Sequence, residues 1–165
     1  MPDRLDADTL AFILSHGVSA YVASADTSRR PHACRAFGCR PWTDGGAFVT
    51  WVDTDAGAKL LAAVASTARL AFTVTEPESC RTVQIKSVDA PIVPVDSADF
   101  ARITAHQDAF ARGAVAIGYS EDVMRAVVQA RFNELAAIRF TPSAVYGQTP
   151  GPDAGAALTS GPSAR

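Results

Sequence analysis

The sequence predicts a mainly β, α+β domain: six short strands in antiparallel order, rolled into a small Greek-key or meander barrel, with helices at the joints. Three observations carry this. Apolar and polar residues alternate over short runs such as 69–75 and 80–88, the period of a half-buried strand. Compact polar turns, Asp26 to Pro31 and Glu76-Pro77-Glu78-Ser79, separate neighbouring runs closely enough for each to return beside the last. Between the strand runs the period changes to that of a helix, and closing such a sheet is how it removes its exposed edges.

In order along the chain, Asp6 or Asp8 can cap a first helix carrying Leu10, Ile13 and Leu14, which His16-Gly17 ends. Residues 18–24 alternate as a first strand, and 32–40 return antiparallel to it. Trp42-Thr43-Asp44-Gly45-Gly46 then makes a turn whose glycines supply positive φ, and 47–52 form the third strand. Asp55 is the expected N-cap of a helix over 56–66. The fourth and fifth strands are 69–75 and 80–88, and the fifth sets Val83 and Ile85 against Thr82, Gln84 and Lys86. One face of that strand is therefore solvated or binds something. Pro91 and Pro94 bracket a short extended piece. Asp96 or Ser97 opens a helix with Phe100, Ile103, Gln107 and Phe110 on one stripe, Ser120-Glu121-Asp122 caps another, and Ala136, Ile138 and Phe140 alternate as the sixth strand before Pro142. Residues 1–148 read as one domain and 149–165 as a tail rich in Gly, Pro and Ala, with too little apolar surface to bury and mobile at its end.

At 165 residues the chain suits a single domain. Hydrophobic residues at 48%, charged residues at 19% and a net charge of -2 lack the basic excess of a non-specific nucleic-acid binder. Apolar runs such as 60–65 fall far short of the roughly 20 residues that cross a bilayer, and the acidic N-terminus is unlike a signal peptide, so a cytoplasmic location is expected with no membrane partner. Three cysteines, Cys34, Cys39 and Cys80, cannot all pair and are read as thiols. His32 and Cys34 share a strand parity that Cys39 lacks, which argues against a metal site. No nucleophile elbow, Walker loop, zinc helix motif or dinucleotide fingerprint is present, and His16, His32 and His106 lie at no telling distance from a nucleophile or acid.

The remaining chemistry sits in 30–51 and 80–86. Arg35 and Arg40, five apart, have opposite parity on a regular strand, so both can face one ligand only if the strand is bulged, and Gly38 is the residue that permits a bulge. A basic strand beside an aromatic, hydroxyl-bearing one suits a planar, phosphorylated ligand.

The serial order of these pieces, with Arg35 to Arg40, Phe48 to Val52, Leu60-Leu61, Arg69-Leu70-Ala71-Phe72 and Arg81-Thr82-Val83-Gln84-Ile85-Lys86, resembles the pyridoxamine 5'-phosphate oxidase-like family of FMN-binding split barrels. The resemblance spans roughly residues 10–155. It implies a six-stranded antiparallel split β-barrel, dimerising through surfaces that include the third and fifth strands, with FMN in two clefts between the copies and small molecules oxidised or reduced at the flavin. Deazaflavin or haem takes that place in some members. Carried over, the cofactor wall falls on Arg35, Ala36, Phe37, Gly38 and Arg40, the end of the third strand contributes Thr50 and Trp51, and Thr82 and Gln84 line the fifth strand. The family's Arg-Lys phosphate clamp at the second helix is replaced by Ala56 and Gly57, with Lys59 the nearest substitute, and the Arg-x-His substrate grip of the authentic oxidase is missing after Phe140. The implied function is an FMN-binding oxidoreductase of unknown small-molecule substrate rather than pyridoxamine-phosphate oxidase itself. The alternative is a non-catalytic barrel holding haem, another ligand or nothing.

Overall fold

The computed structural model describes residues 5–43 and 46–158. Four helices and eight strands are present among them: α1 Ala7–Ile13, β1 Ser19–Ala25, β2 Pro31–Pro41, β3 Phe48–Asp53, α2 Ala58–Thr67, β4 Leu70–Thr75, β5 Thr82–Ser87, β6 Ile92–Val93, α3 Phe100–Ala116, α4 Glu121–Val127, β7 Leu135–Phe140 and β8 Ala144–Gly147. All eight strands join one antiparallel sheet in the order β6-β7-β3-β2-β1-β4-β5-β8. The expected six strands thus become eight. The short piece between Pro91 and Pro94 pairs as β6, and β8 is a four-residue edge strand too brief for its period to show in the sequence.

The sheet is strongly rolled. β7 and β8 stand six strand spacings apart in the order, about 29 Å if flat at roughly 4.8 Å each. The link between them is only Thr141-Pro142-Ser143, whose four Cα steps reach about 14 Å. The ends must therefore curl toward each other, and they do: Phe140 of β7 packs on Phe72 of β4 at 5.2 Å between ring centroids and on Phe48 of β3 at 5.7 Å. No ladder joins β6 to β8 among the described residues, so the barrel is left unclosed.

Inside the roll lies the main core, with Val22, Val52, Phe72, Ile85, Ile138 and Phe140 fully buried; α1 adds Phe12 and Ile13 to it, and α2 adds Leu60 and Val64. A second cluster forms outside the sheet, where Phe37, Val49, Trp51 and Ala137 meet Ile103 of α3. Asp6 caps α1 as expected, its carboxylate accepting from Thr9 N at 2.8 Å. Asp55 does not cap α2: the N-cap is Gly57, and the preceding turn is held by Asp53 instead. Residues 149–158 turn back on the barrel, with Leu158 N donating to Val145 O at 2.8 Å and Tyr146 bridging Ala157.

The bulge expected in the second strand is present. Pairing with β3 shifts by one residue between Ala36 and Cys39, and Gly38 takes φ +87. The shift reverses side-chain parity beyond it, with two consequences. Arg35, Phe37 and Arg40 all face outward, and Cys39, which strand parity alone points away from Cys34, joins the inner core against which Cys34 packs. A Cβ on Gly38 would stand 2.9 Å from His106 Nδ1 of α3. Replacing Gly38 with Ala is therefore expected to destabilise the fold by about 1–3 kcal/mol, from left-handed strain added to this contact. Urea unfolding checks it, and an unchanged midpoint would mean that the bulge can relax.

Candidate functional site

Strand register assembles a site that single residues did not announce. Arg35 of β2 opposes Tyr21 of β1, Tyr21 opposes Thr73 of β4, Thr73 opposes Gln84 of β5 and Gln84 opposes Tyr146 of β8. All five side chains leave the same outer face, because directly paired residues share a face. The row runs about 19 Å across five strands at roughly 4.8 Å per spacing. Arg35 Nη2 donates to Tyr21 Oη at 2.9 Å and its guanidinium lies over the Tyr21 ring at 4.9 Å and the Phe110 ring at 5.3 Å. Gln84 Nε2 donates to Thr73 Oγ1 at 3.3 Å, and Lys86 lies over Tyr146 at 5.1 Å. Along one side Ala33, Ala23 and Ala71 form a low shelf over β2, β1 and β4, which the exposed Lys86 interrupts before Ala144. Tyr21 remains 44% exposed in mid-sheet.

Two features set Arg35 apart. Arg40, Arg81, Arg125, Arg131 and Arg139 each meet an acid, whereas Arg35 is half-buried with no carboxylate in ion-pair reach among the described residues. Arg35 and Arg102 both act electrostatically on the buried His106 of α3. Arg102 donates to Cys39 O and Leu14 O at 2.8 and 2.9 Å, and His106 is kept neutral by burial and by the charges of His16, Arg102 and Arg35, its pKa pushed down to about 4. A half-buried, aromatic-flanked guanidinium lacking a counter-charge can contact an anion or a π-system.

The residues carried over from the resemblance fall in several places. Arg35, Gln84 and Thr82 lie on this open face, with Thr82 Oγ1 3.0 Å from Thr75 Oγ1 one row along. Ala36 points into the barrel. Gly38 is covered by His106, and Phe37 lies under α3 in the outer cluster. Thr50 is fully buried, its hydroxyl donating to Gly38 O at 2.7 Å. Trp51 is 0% exposed and donates Nε1–H to Asp99 Oδ2 at 3.1 Å. Arg40 is taken by the same Asp99, through contacts at 2.5 and 3.2 Å. Lys59 stands exposed on α2. Within one chain, then, Arg35 and Arg40 share a face but not a site, because α3 packs between them.

The turn leading into α2, beside the helix head where a phosphate would profit from N–H groups and the helix dipole, is already held by the chain's own groups. Asp53 Oδ1 accepts from Asp55 N at 2.9 Å and Ala56 N at 3.0 Å, Asp53 O accepts from Gly57 N at 2.8 Å, and Thr54 N donates to Glu134 O at 2.8 Å. Arg131 grips Asp53 with Nε at 3.1 Å and Nη2 at 2.8 Å and touches Asp55 at 3.4 Å. The open face has the donors and rings to meet a flavin ring, whereas the residues at the head of α2 do not fit the FMN phosphate.

Thiol chemistry has no support here. Burial, then the charge of Asp53, pushes Cys34 up to about 11, and burial takes Cys39 to about 12, so neither supplies a thiolate at neutral pH. Among the described residues no three His, Cys, Asp or Glu side chains converge on a common point, and no helix is long and apolar enough to cross a membrane. Tyr21, Thr73 and Tyr146 escaped sequence reasoning, since each looks like the outward member of an ordinary alternating strand. Only the register that aligns them makes them a group.

No family model matches the chain, and no curated protein matches it. Solved structures do. The H111A variant of HupZ from Group A Streptococcus superposes at TM-score 0.51 with 13% identity, covering 87% of this chain and 99% of its own. HutZ, the haem storage protein of Vibrio cholerae, gives 0.50 and 12%, covering 88% and 96%. A pyridoxamine 5'-phosphate oxidase-related, FMN-binding protein of Nostoc punctiforme gives 0.47 and 10%, covering 88% and 80%. At such identities the likeness to HupZ and HutZ is one of fold, and in this chain that fold is a rolled, unclosed antiparallel sheet flanked by helices.

Proposed function

We propose that the chain binds a flavin-class ring against the outer face of β2-β1-β4-β5-β8 as half of a homodimer, the second copy closing the face, and serves as an oxidoreductase toward a small molecule. The observation that carries this is the cross-strand row Arg35–Tyr21–Thr73–Gln84–Tyr146, with its half-buried arginine free of any acid among the described residues. Stacking on tyrosine, amide hydrogen bonding from Gln84 and a guanidinium beside the electron-rich edge are the contacts such a ring needs. A bound flavin would supply the hydride or electron chemistry, and these side chains would orient it. The exposed Tyr21 and the alanine shelf supply the low, partly apolar surface that a second copy can cover. Of the two strands expected at the interface, β5 lies on this face, while the outer side of β3 is taken by α3. Replacing Arg35 with Ala is expected to weaken flavin binding about ten- to a hundredfold, the loss of one hydrogen bond to a charged group, with Arg40→Ala costing little affinity. Fluorescence titration of flavin with both variants checks this; equal effects would remove the row from the site.

The filled turn before α2 favours a second reading, in which the same barrel is a non-catalytic module for haem or another ligand. An absorption spectrum of the purified protein separates the two. Bands of oxidised flavin that bleach with dithionite support the first, and a Soret band supports the second.

A further inference from the structure

Asp53 behaves as an anion that the chain supplies to itself. Its carboxylate sits where an external anion would sit in the turn that leads into α2: two consecutive backbone N–H groups, from Asp55 and Ala56, converge on Oδ1. A guanidinium, Arg131, closes on it from the far side with two nitrogens, the planar fork that a carboxylate or phosphate normally receives. The next N–H, that of Gly57, goes to Asp53 O, and Ala58 N goes to Asp55 O at 3.3 Å. The donors of residues 55–58 are thus consumed. Space is consumed with them: a Cβ on Gly57 would come within 2.6 Å of Asp53 O. Asp53 keeps its charge despite burial, which works to raise its pKa, because the bonds from Ala56 N and Arg131 outweigh burial and hold it below the usual carboxylate range.

We infer that Asp53, locked by Arg131, excludes phosphate monoesters from the head of α2, so that the ligand of the outer face is an unphosphorylated ring, of the riboflavin rather than the FMN type. An incoming dianion would meet the Asp53 and Asp55 carboxylates at contact range, and the N–H groups of residues 55–58 are already bonded within the chain and cannot offset the repulsion. The choice of a flavin ring rests on the function proposed above. The exclusion of phosphate stands on its own.

The test follows the backbone amides of Asp55 and Ala56 in the 15N–1H spectrum of the full chain, titrated in separate arms with inorganic phosphate, riboflavin and FMN. Neither amide is expected to shift with phosphate, and the two flavins are expected to bind with dissociation constants within about threefold of each other, each shifting Tyr21 and Gln84. Shifts of Asp55 and Ala56 with phosphate, or FMN binding more than about tenfold tighter than riboflavin, would overturn the inference. If neither flavin moves Tyr21 or Gln84, the flavin reading and the riboflavin assignment fall, while the phosphate arm still decides the exclusion. Replacing Asp53 with Ala frees two N–H groups and leaves Arg131 with only Glu134 and Asp55, and the folded variant should acquire a phosphate response at Ala56. A folded Asp53→Ala protein indifferent to phosphate would remove Asp53 as the excluding group.

Discussion

Replacing Asp99 with Ala is expected to cost about 3–5 kcal/mol, the loss that follows when one partner is removed from a buried ion pair. Asp99 lies just before α3 and is 4% exposed. It is the shared acceptor of Arg40 on β2 and of the Trp51 indole on β3, so one carboxylate pins the start of α3 to two adjacent strands. Alanine there leaves a guanidinium mostly out of water without its counter-charge and an indole N–H without an acceptor, in a wall whose remaining members are apolar. Against the usual 5–15 kcal/mol of a domain this is a large share. Asp99→Asn should lose less, since an amide oxygen can still accept from Trp51. The pair Arg40→Met with Asp99→Leu should also lose less than Asp99→Ala alone, because no buried charge is left over. Urea unfolding of the three proteins measures this, and a loss below 1 kcal/mol for Asp99→Ala would show that solvent reaches Arg40 freely.

That cluster also explains where sequence reading reached and where it stopped. Local signals were legible: Asp6 caps α1, Gly38 bulges β2, and the alternation in 70–75 and 82–87 marks inner and outer faces correctly. Each of these depends on neighbours within a few residues. The stripe Phe100, Ile103, Phe110 was legible as well, but a stripe does not say what it covers. Ile103 and Phe100 cover Trp51 and Phe37, which turns an aromatic strand end that looks like a ligand wall into part of the chain's own second core. The cap of α2 was misplaced for a related reason. Asp55 stands closer to the helix in sequence, yet the loop turns back far enough for Asp53 to reach the N–H groups of residues 55 and 56, with Arg131, some eighty positions away, fixing it there. β8 went unseen because four residues after a proline carry almost no period. Its place is set by pairing with β5 and by residues 156–158 turning back upon it.

Acid should loosen the contact between α3 and β2 before it unfolds the rest, and the group responsible is His106. It is 5% exposed and packs on Gly38, where the bulge brings the backbone of β2 close to the ring. Burial first, then the positive charges of His16 from the α1–β1 joint, Arg102 from α3 itself and Arg35 from β2, push its pKa from 6.5 down to about 4. No acid is among the groups acting on it. Above pH 6.5 neither the folded nor the unfolded chain carries a proton here, so the group leaves stability unchanged. Between 6.5 and about 4 the unfolded chain binds the proton and the folded chain refuses it, so stability falls as pH falls, and below 4 the fall levels off. At 1.36 kcal/mol per pH unit the whole window amounts to about 3 kcal/mol. Carboxylates titrate over part of the same range, so the comparison is with His106→Gln, which keeps length and polarity but cannot take the proton. Between pH 7 and pH 4 the variant should lose about 3 kcal/mol less than the parent in urea unfolding. Parallel curves for the two proteins would mean that His106 reaches solvent by a local opening of α3 and titrates as a free imidazole.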